Sequence, residues 1–154
     1  METTRPAQAA DQPACRELLR QALAHARSRR GGPALAGDRT PEELLARWTG
    51  DGSPEAALWV GEFHQAVVGL AAATVSVRPG SAGRSGRIEC CYVEAEGRGV
   101  GVGTALMASL VAWCGEQGCL DIDALALPGD RLSKQQLEAA GFTARLLVLN
   151  RRLN

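Results

Sequence analysis

The 154-residue sequence predicts a mixed α/β (α+β) fold whose sheet is largely antiparallel. Three observations carry this. Apolar residues recur at helical spacing in two runs, one holding Ala14, Leu18, Leu19, Ala22 and Leu23, the other Leu106, Leu110 and Trp113 flanked by Met107, Val111 and Cys114. Between those runs, residues 58–62, 67–77 and 87–93 are rich in β-branched and small apolar side chains and read as a meander of three strands. A glycine-dense turn, Arg98-Gly99-Val100-Gly101-Val102-Gly103, joins the last of these strands to the second amphipathic run.

Taken in order, the chain opens on a short extended segment at 3–6. Asp11 then stands as N-cap of a first helix ending near Ala26. Residues 27–37 hold three arginines, three glycines and a proline, the composition of a loop. Thr40 and Pro41 open a second, short helix to about Trp48 as N-cap and first-turn proline. The first two strands of the meander are close enough, across 63–66, for a hairpin connection, and residues 78–86 form the next loop. The helix after the glycine turn starts near Gly101 and runs out at 115–118. A strand at 120–127 is broken by Pro128-Gly129, and Asp130 or Ser133 caps a last helix ending at Gly141. A final strand at 143–149 gives way to a polar tail at 150–154. With 45% hydrophobic residues and no composition break, the chain 1–154 is expected to form a single domain.

Seventeen basic residues balance seventeen acidic ones, so the global basic field of a nucleic-acid binder is absent. No apolar stretch approaches the roughly 20 residues that cross a bilayer, and the amino terminus has no signal-peptide pattern. The expectation is a cytoplasmic protein with neither nucleic-acid nor membrane partners. Its five cysteines, Cys15, Cys90, Cys91, Cys114 and Cys119, include no C-x-x-C pair and no companion histidine at zinc spacing, so neither a disulfide scaffold nor a metal site is expected.

A glycine turn that feeds a helix N-terminus is a phosphate cradle in outline. Glycines let the backbone approach a ligand closely, and the first helical N–H groups point outward with the positive end of the dipole. The dinucleotide pattern G-x-G-x-x-G fails, because Thr104 stands where its third glycine belongs and the motif follows a meander instead of opening a βαβ unit. A Walker-type loop fails because no Gly-Lys-Ser or Gly-Lys-Thr follows. The spacing that fits is R-x-x-G-x-G at Arg98, Gly101 and Gly103, after the strand Glu89-Cys90-Cys91-Tyr92-Val93 and before Thr104-Ala105-Leu106.

On these residues, with Thr4-Arg5-Pro6-Ala7 at the start and Ala140-Gly141-Phe142 after the last helix, the whole chain resembles the GNAT superfamily of acetyl-CoA-dependent N-acetyltransferases. The resemblance implies a mixed, mostly antiparallel sheet of six to seven strands with about four helices. It also implies a splay between the fourth and fifth strands, mapped here between 91–93 and 121–124. Acetyl-CoA is the implied cosubstrate. Its pyrophosphate would be held by backbone N–H groups of Arg98, Gly99, Val100, Gly101, Val102, Gly103 and Thr104. Its pantetheine arm would run along Cys91, Tyr92 and Val93, with Asp130 and Ser133 completing the cofactor set. The Val93 N–H would polarise the thioester carbonyl where negative charge develops.

An alkylammonium acceptor has a pKa of about 10.4 and needs a base or a water path to one. Glu89 is the candidate, since strict alternation would place it on one strand face with Cys91 and Val93. Many members of the family carry a tyrosine, as general acid, four residues before the glycine of Gly-Phe; here that position is Leu137. The one tyrosine, Tyr92, is expected on the face opposite Glu89, and Ser133 is the residue placed to order a water near the sulfur. Cys90 and Cys91 raise a covalent route, but neither has a base or cation beside it in sequence.

The acceptor site is expected at the loop 27–40, where Arg27, Arg29, Arg30 and Arg39 outnumber Asp38 and suit a carboxylate-bearing amine, such as an amino acid or peptide end. Three functions stand: an N-acetyltransferase acting on a primary amine of a small molecule or a peptide or protein N-terminus, an acetyl-CoA-binding sensor or structural protein of the same fold, and a nicotinamide-dependent enzyme with a degenerate turn. On assembly the residues are silent; the resemblance brings a homodimer with it.

Overall fold

Strand β1 (Glu2–Pro6) lies at one edge of the sheet, and a 3-10 turn at Ala9–Asp11 leads into helix α1 (Gln12–Arg27). The computed structural model describes residues 1–50, 55–77, 79–80 and 82–153. Helices α2 (Gly32–Ala36) and α3 (Pro41–Thr49) follow, then the meander β2 (Ala56–Phe63), β3 (Ala66–Val77) and β4 (Arg84–Val93). A second 3-10 turn at Ala95–Gly97 precedes α4 (Val102–Glu116), β5 (Cys119–Ala124) and α5 (Arg131–Ala139). The five strands are ordered β1-β2-β3-β4-β5, antiparallel except for the parallel pair β4–β5. That parallel step requires a crossover, and α4 supplies it.

Two cores sandwich the sheet. On one face Cys15, Leu18 and Leu19 of α1 and Leu44, Leu45 and Trp48 of α3 pack on Leu58, Val60, Leu70 and Ala72. On the other, Val102, Leu106, Leu110 and Cys114 of α4 pack on Ala71, Ala73 and Ile88. Strand β3 is the centre: Leu70, Ala71, Ala72 and Ala73 are wholly buried, which explains its unbroken apolar run. Small side chains there let helices approach from both sides.

Several expectations are corrected. Asp11 stands at the N-cap position of α1, as expected, but its side chain makes no capping bond to the helix. Its carboxylate accepts two bonds from Arg5, at 2.7 and 3.0 Å, and one from the Gln8 N–H at 2.7 Å, so it ties β1 to the turn. The loop 27–37 contains the short α2, whose end is held by Arg27 and Arg39 donating to carbonyls of residues 35–39. Strand β4 begins at Arg84, inside the expected loop 78–86, of which residues 78 and 81 lie outside the described residues.

The sheet has five strands where six to seven were expected, because residues 143–149 form no strand among the described residues. Their composition suits a strand, yet β-propensity expresses fit to a paired, half-buried surface, and this segment pairs with no described strand. Strands β4 and β5 do part, but later than mapped. Asp121 and Ala124 are paired with Ser85 and Ile88, and the gap opens only beyond Ile88 and Ala124.

Candidate active site

Beyond Ile88, strand β4 continues through residues 89–93 with β3 on one side and the gap on the other. The Glu94 N–H donates to the Val68 carbonyl at 3.0 Å. Antiparallel pairing alternates, so Val93, one residue out of step and opposite Gly69, aims its N–H and C=O away from β3 into the gap, and Cys91 does the same. Arg98 Nε takes the Val93 carbonyl at 2.9 Å, and its guanidinium lies 5.6 Å from the centre of the Tyr92 ring. The Val93 N–H is left facing the gap.

The glycine turn follows directly. Gly99 and Gly101 have φ of 81° and 89°, in the left-handed region where a side chain is strained. Gly101 is the N-cap of α4, no side chain caps that end, and the first turn holds no acidic residue. The first helical bond runs from the Ala105 N–H to the Gly101 carbonyl at 3.0 Å, so the N–H groups of Val102, Gly103 and Thr104 have no partner within the helix. Val102 is buried and Val100 packs against the same core, so these two valines fasten the turn to the sheet. The arrangement suits an anionic group on the turn and an extended chain along the open side of β4.

Glu89 is placed differently from the expectation. Cys90 pairs with Ala72 and Ile88 with Ala73, which leaves Glu89 as the extra residue of a β-bulge. The bulge resets the alternation: Ile88, Cys91 and Val93 face α4, whereas Cys90 and Tyr92 face α1 and α3. Glu89 joins the second set. It accepts from Thr74 Oγ1 at 2.8 Å and from Arg47 Nη2 of α3 at 3.4 Å, with its side chain 11% exposed. Tyr92 therefore shares the face of Glu89, contrary to expectation, and its hydroxyl donates to Gln21 Oε1 at 3.4 Å.

A cavity of about 200 Å³ connects the two faces through the gap. Leu19 and Leu23 of α1, Leu35 of α2, and Leu44 and Trp48 of α3 wall one end; Cys91, Met107, Ser133, Gln136 and Leu137 wall the other; Glu89 lies between. The indole N–H of Trp48 is buried without a hydrogen-bond partner. Asp130 and Ser133 engage each other. Asp130 caps α5, accepting from the Ser133 N–H at 3.3 Å and Ser133 Oγ at 2.9 Å, and its carboxylate lies 4.0 Å from His25 Nε2 at the end of α1.

Burial pushes the Cys90 thiol up to about 12 and the Cys91 thiol up to about 11. Neither is a thiolate near neutral pH, which argues against a cysteine nucleophile. Gln136 of α5 donates to Cys91 Sγ at 3.8 Å, and its amide lies 2.8 Å from where a Cβ on Gly103 would stand. Gln136, Arg47 and Thr74 were not read as site residues; only the proximity of Gln136 to Leu137, one residue on, pointed towards it. Among the described residues no group of three or more His, Cys, Asp or Glu is placed to hold a metal, and no helix is long and apolar enough to cross a membrane.

The strand, gap and glycine turn coincide with a known pattern: residues 32–127 match the profile of the Acetyltransferase (GNAT) family. The chain belongs to that family. Solved structures carry the same fold along nearly the full GNAT chain. A predicted acetyltransferase from Clostridium acetobutylicum, solved with acetyl-CoA, is 21% identical with a TM-score of 0.74, over 97% of this chain and 96% of its own. The aminoglycoside N-acetyltransferase AAC(6')-Iy, solved with CoA, is 20% identical with a TM-score of 0.72, over 99% and 95%. Glucosamine-6-phosphate N-acetyltransferase from Arabidopsis thaliana is 17% identical with a TM-score of 0.71, over 100% and 99%. No curated protein matches the sequence.

Proposed function

We propose that this GNAT protein transfers an acetyl group from acetyl-CoA directly to a primary amine of a small molecule or of a peptide or protein N-terminus. The observation that carries the reading is the Val93 N–H aimed into the β4–β5 gap one short turn before an uncapped helix N-terminus. Acetyl-CoA supplies the activated acyl group as a thioester. The backbone of residues 98–104 binds its pyrophosphate, with Gly99 and Gly101 letting the chain curl around it and the first turn of α4 offering unpaired N–H groups. The open side of β4 at Cys91 and Val93 pairs with the pantetheine amides, and the Val93 N–H stabilises charge developing on the carbonyl oxygen. Arg98 fixes that N–H by holding the carbonyl of the same residue.

Glu89 takes the proton that the amine must lose. Its position at the bulge turns the carboxylate towards the α1–α3 end of the cavity while leaving Val93 facing the gap, so base and oxyanion donor reach the reacting centre from two sides. The walls at the acceptor end are mainly leucine, alanine and Trp48, which suits an amine on an apolar body. Arg27 and Arg39 donate to backbone carbonyls around α2, so half of the loop arginines that suggested a carboxylate-bearing acceptor have a bracing role. Release of free thiol from acetyl-CoA with a panel of apolar and carboxylate-bearing amines tests the proposal. Amine-dependent thiol release supports it; absence of CoA binding overturns it.

Leu137 favours a second reading, a GNAT protein that binds acetyl-CoA with weak or no turnover. It lines the cavity and packs in the α4 core where a phenol would protonate the departing sulfur, and the hydroxyl of Tyr92 is on the far side at Gln21. Leu137→Tyr separates the two: a rise in turnover of about tenfold or more marks a working site short of an acid, whereas tight binding with no turnover in either protein marks a sensor.

A further inference from the structure

Three arginines stand at or beside the acceptor end of the cavity, and two of them are engaged within the chain. Arg39 donates to the carbonyls of Leu35 and Ala36, and Arg47 donates to Glu89 at 3.4 Å. Arg87 lines the cavity, is exposed, and makes no hydrogen bond or ion pair among the described residues. Strand pairing fixes its backbone from both sides, opposite Thr74 of β3 and Asp123 of β5, and Arg145 takes Asp123 at 2.8 Å. Ile88 faces α4, so Arg87 faces the other way, towards α1 and α3, as Glu89 does after the bulge. Thr74 stands beside both: it is the ladder partner of Arg87, and its hydroxyl donates to Glu89 at 2.8 Å. A carboxylate and an unpartnered cation therefore flank one threonine on the cavity face of β4, roughly 6–7 Å apart along the strand.

We propose that Arg87 binds the carboxylate of the acceptor, and that the acceptor is an apolar α-amino acid. The proposal rests on the acyl-transfer reading for the position of the amine, at Glu89. An α-amino acid carries its ammonium and carboxylate one carbon apart, so the zwitterion spans Glu89 and Arg87 with opposite charges facing each other at both ends. Its side chain then enters the pocket of Leu19, Leu23, Leu44 and Trp48, whose walls favour an aliphatic or aromatic group over a polar one. A planar guanidinium takes a carboxylate through two parallel bonds, which an amide, an ester or a hydrogen on that carbon does not offer. Arg29 and Arg30 of the loop do not line the cavity, so selection for the anion comes from β4. In the transfer Glu89 takes one ammonium proton, and the nitrogen forms the amide bond as the C–S bond breaks and its electron pair leaves on sulfur. The second proton passes from nitrogen to sulfur, giving an N-acetyl amino acid and CoA.

Calorimetric binding to the CoA complex, with thiol release from acetyl-CoA measured in parallel, tests it on the full chain. The ligands are leucine, methionine and phenylalanine, each against the amine that lacks its carboxylate. At least one amino acid should bind about tenfold or more tightly than its decarboxylated amine, Arg87→Gln should remove that preference, and Arg87→Lys should keep part of it. Carboxylate-selective binding that is lost in Arg87→Gln but brings no thiol release would support the Arg87 site and overturn acyl transfer. Equal binding of acid and amine, binding of none of the six, a preference unchanged in Arg87→Gln, or one lost instead in Arg29→Gln would each overturn the proposal. Thiol release with the decarboxylated amines would in those cases leave acyl transfer standing.

Discussion

At single residues, the geometry separates groups that touch the reacting centre from groups that hold them. Glu89 is enclosed, hydrogen-bonded by Thr74 and Arg47, and open to the cavity, so Glu89→Gln keeps the shape and removes the base. Steady-state kinetics should show kcat reduced about 10²- to 10³-fold with the KM for acetyl-CoA little changed; an equal loss in both would assign Glu89 to binding. Gly101, at φ 89°, is in the left-handed region that a β-branched side chain tolerates poorly, and Gly101→Val should weaken acetyl-CoA binding by calorimetry about tenfold or more. Cys90→Ala and Cys91→Ala should each retain activity, because thiols pushed up to about 12 and about 11 carry no nucleophilic thiolate at neutral pH. The glycines were legible from sequence because their spacing is local. The facing of Glu89 was not: a bulge is set by the register of the neighbouring strand, and period-2 reading along one strand has no access to it.

At the scale of elements, caps and turns were read most faithfully where one side chain decides them. Thr40 accepts from the Glu43 N–H at 3.2 Å while Glu43 returns a bond to the Thr40 N–H at 3.0 Å, a full capping box at α3, and Thr40→Ala should cost about 1 kcal/mol in urea unfolding. The hairpin β2–β3 turns on His64 and Gln65, with φ of 48° and 67°, a conformation that suits glycine and asparagine. Gln65→Gly should therefore stabilise by about 0.5–1 kcal/mol in the same measurement. Where sequence reading failed, long-range contacts had overridden local preference. Asp11 stands at the N-cap, but Arg5 claims its carboxylate from the adjoining strand, and residues 143–149 have the composition of a strand but pair with no described strand.

For the whole molecule, the order of β1, α1, α3, the meander, α4, β5 and α5 was legible from periodicity together with cap and turn residues, whereas α2 and the covering of β3 on both faces were not. Ion pairs add to the β1–β2 ladder in tying the amino-terminal edge down: Arg5 bridges Asp11 and Glu62, each at 2.7 Å, joining β1, the first turn and β2. Hydrogen bonding to Arg5 holds the Asp11 carboxyl below the usual carboxylate range. A carboxyl whose folded pKa is depressed contributes stability that is present above its unfolded pKa and lost as pH falls through the folded one. The urea midpoint should accordingly fall as pH drops below about 4, and Arg5→Met should lower the midpoint near pH 7 and flatten that acid limb. An acid limb unchanged in Arg5→Met would remove the bridge from the account. Acetyl-CoA is proposed to bind where the molecule's two halves part, at the β4–β5 gap and the turn beneath it. Amide-resolved nuclear magnetic resonance during titration with acetyl-CoA tests that placement most directly. The largest shifts are predicted at Val93 and at residues 99–104; shifts confined to other parts of the chain, or none at saturating acetyl-CoA, would contradict it.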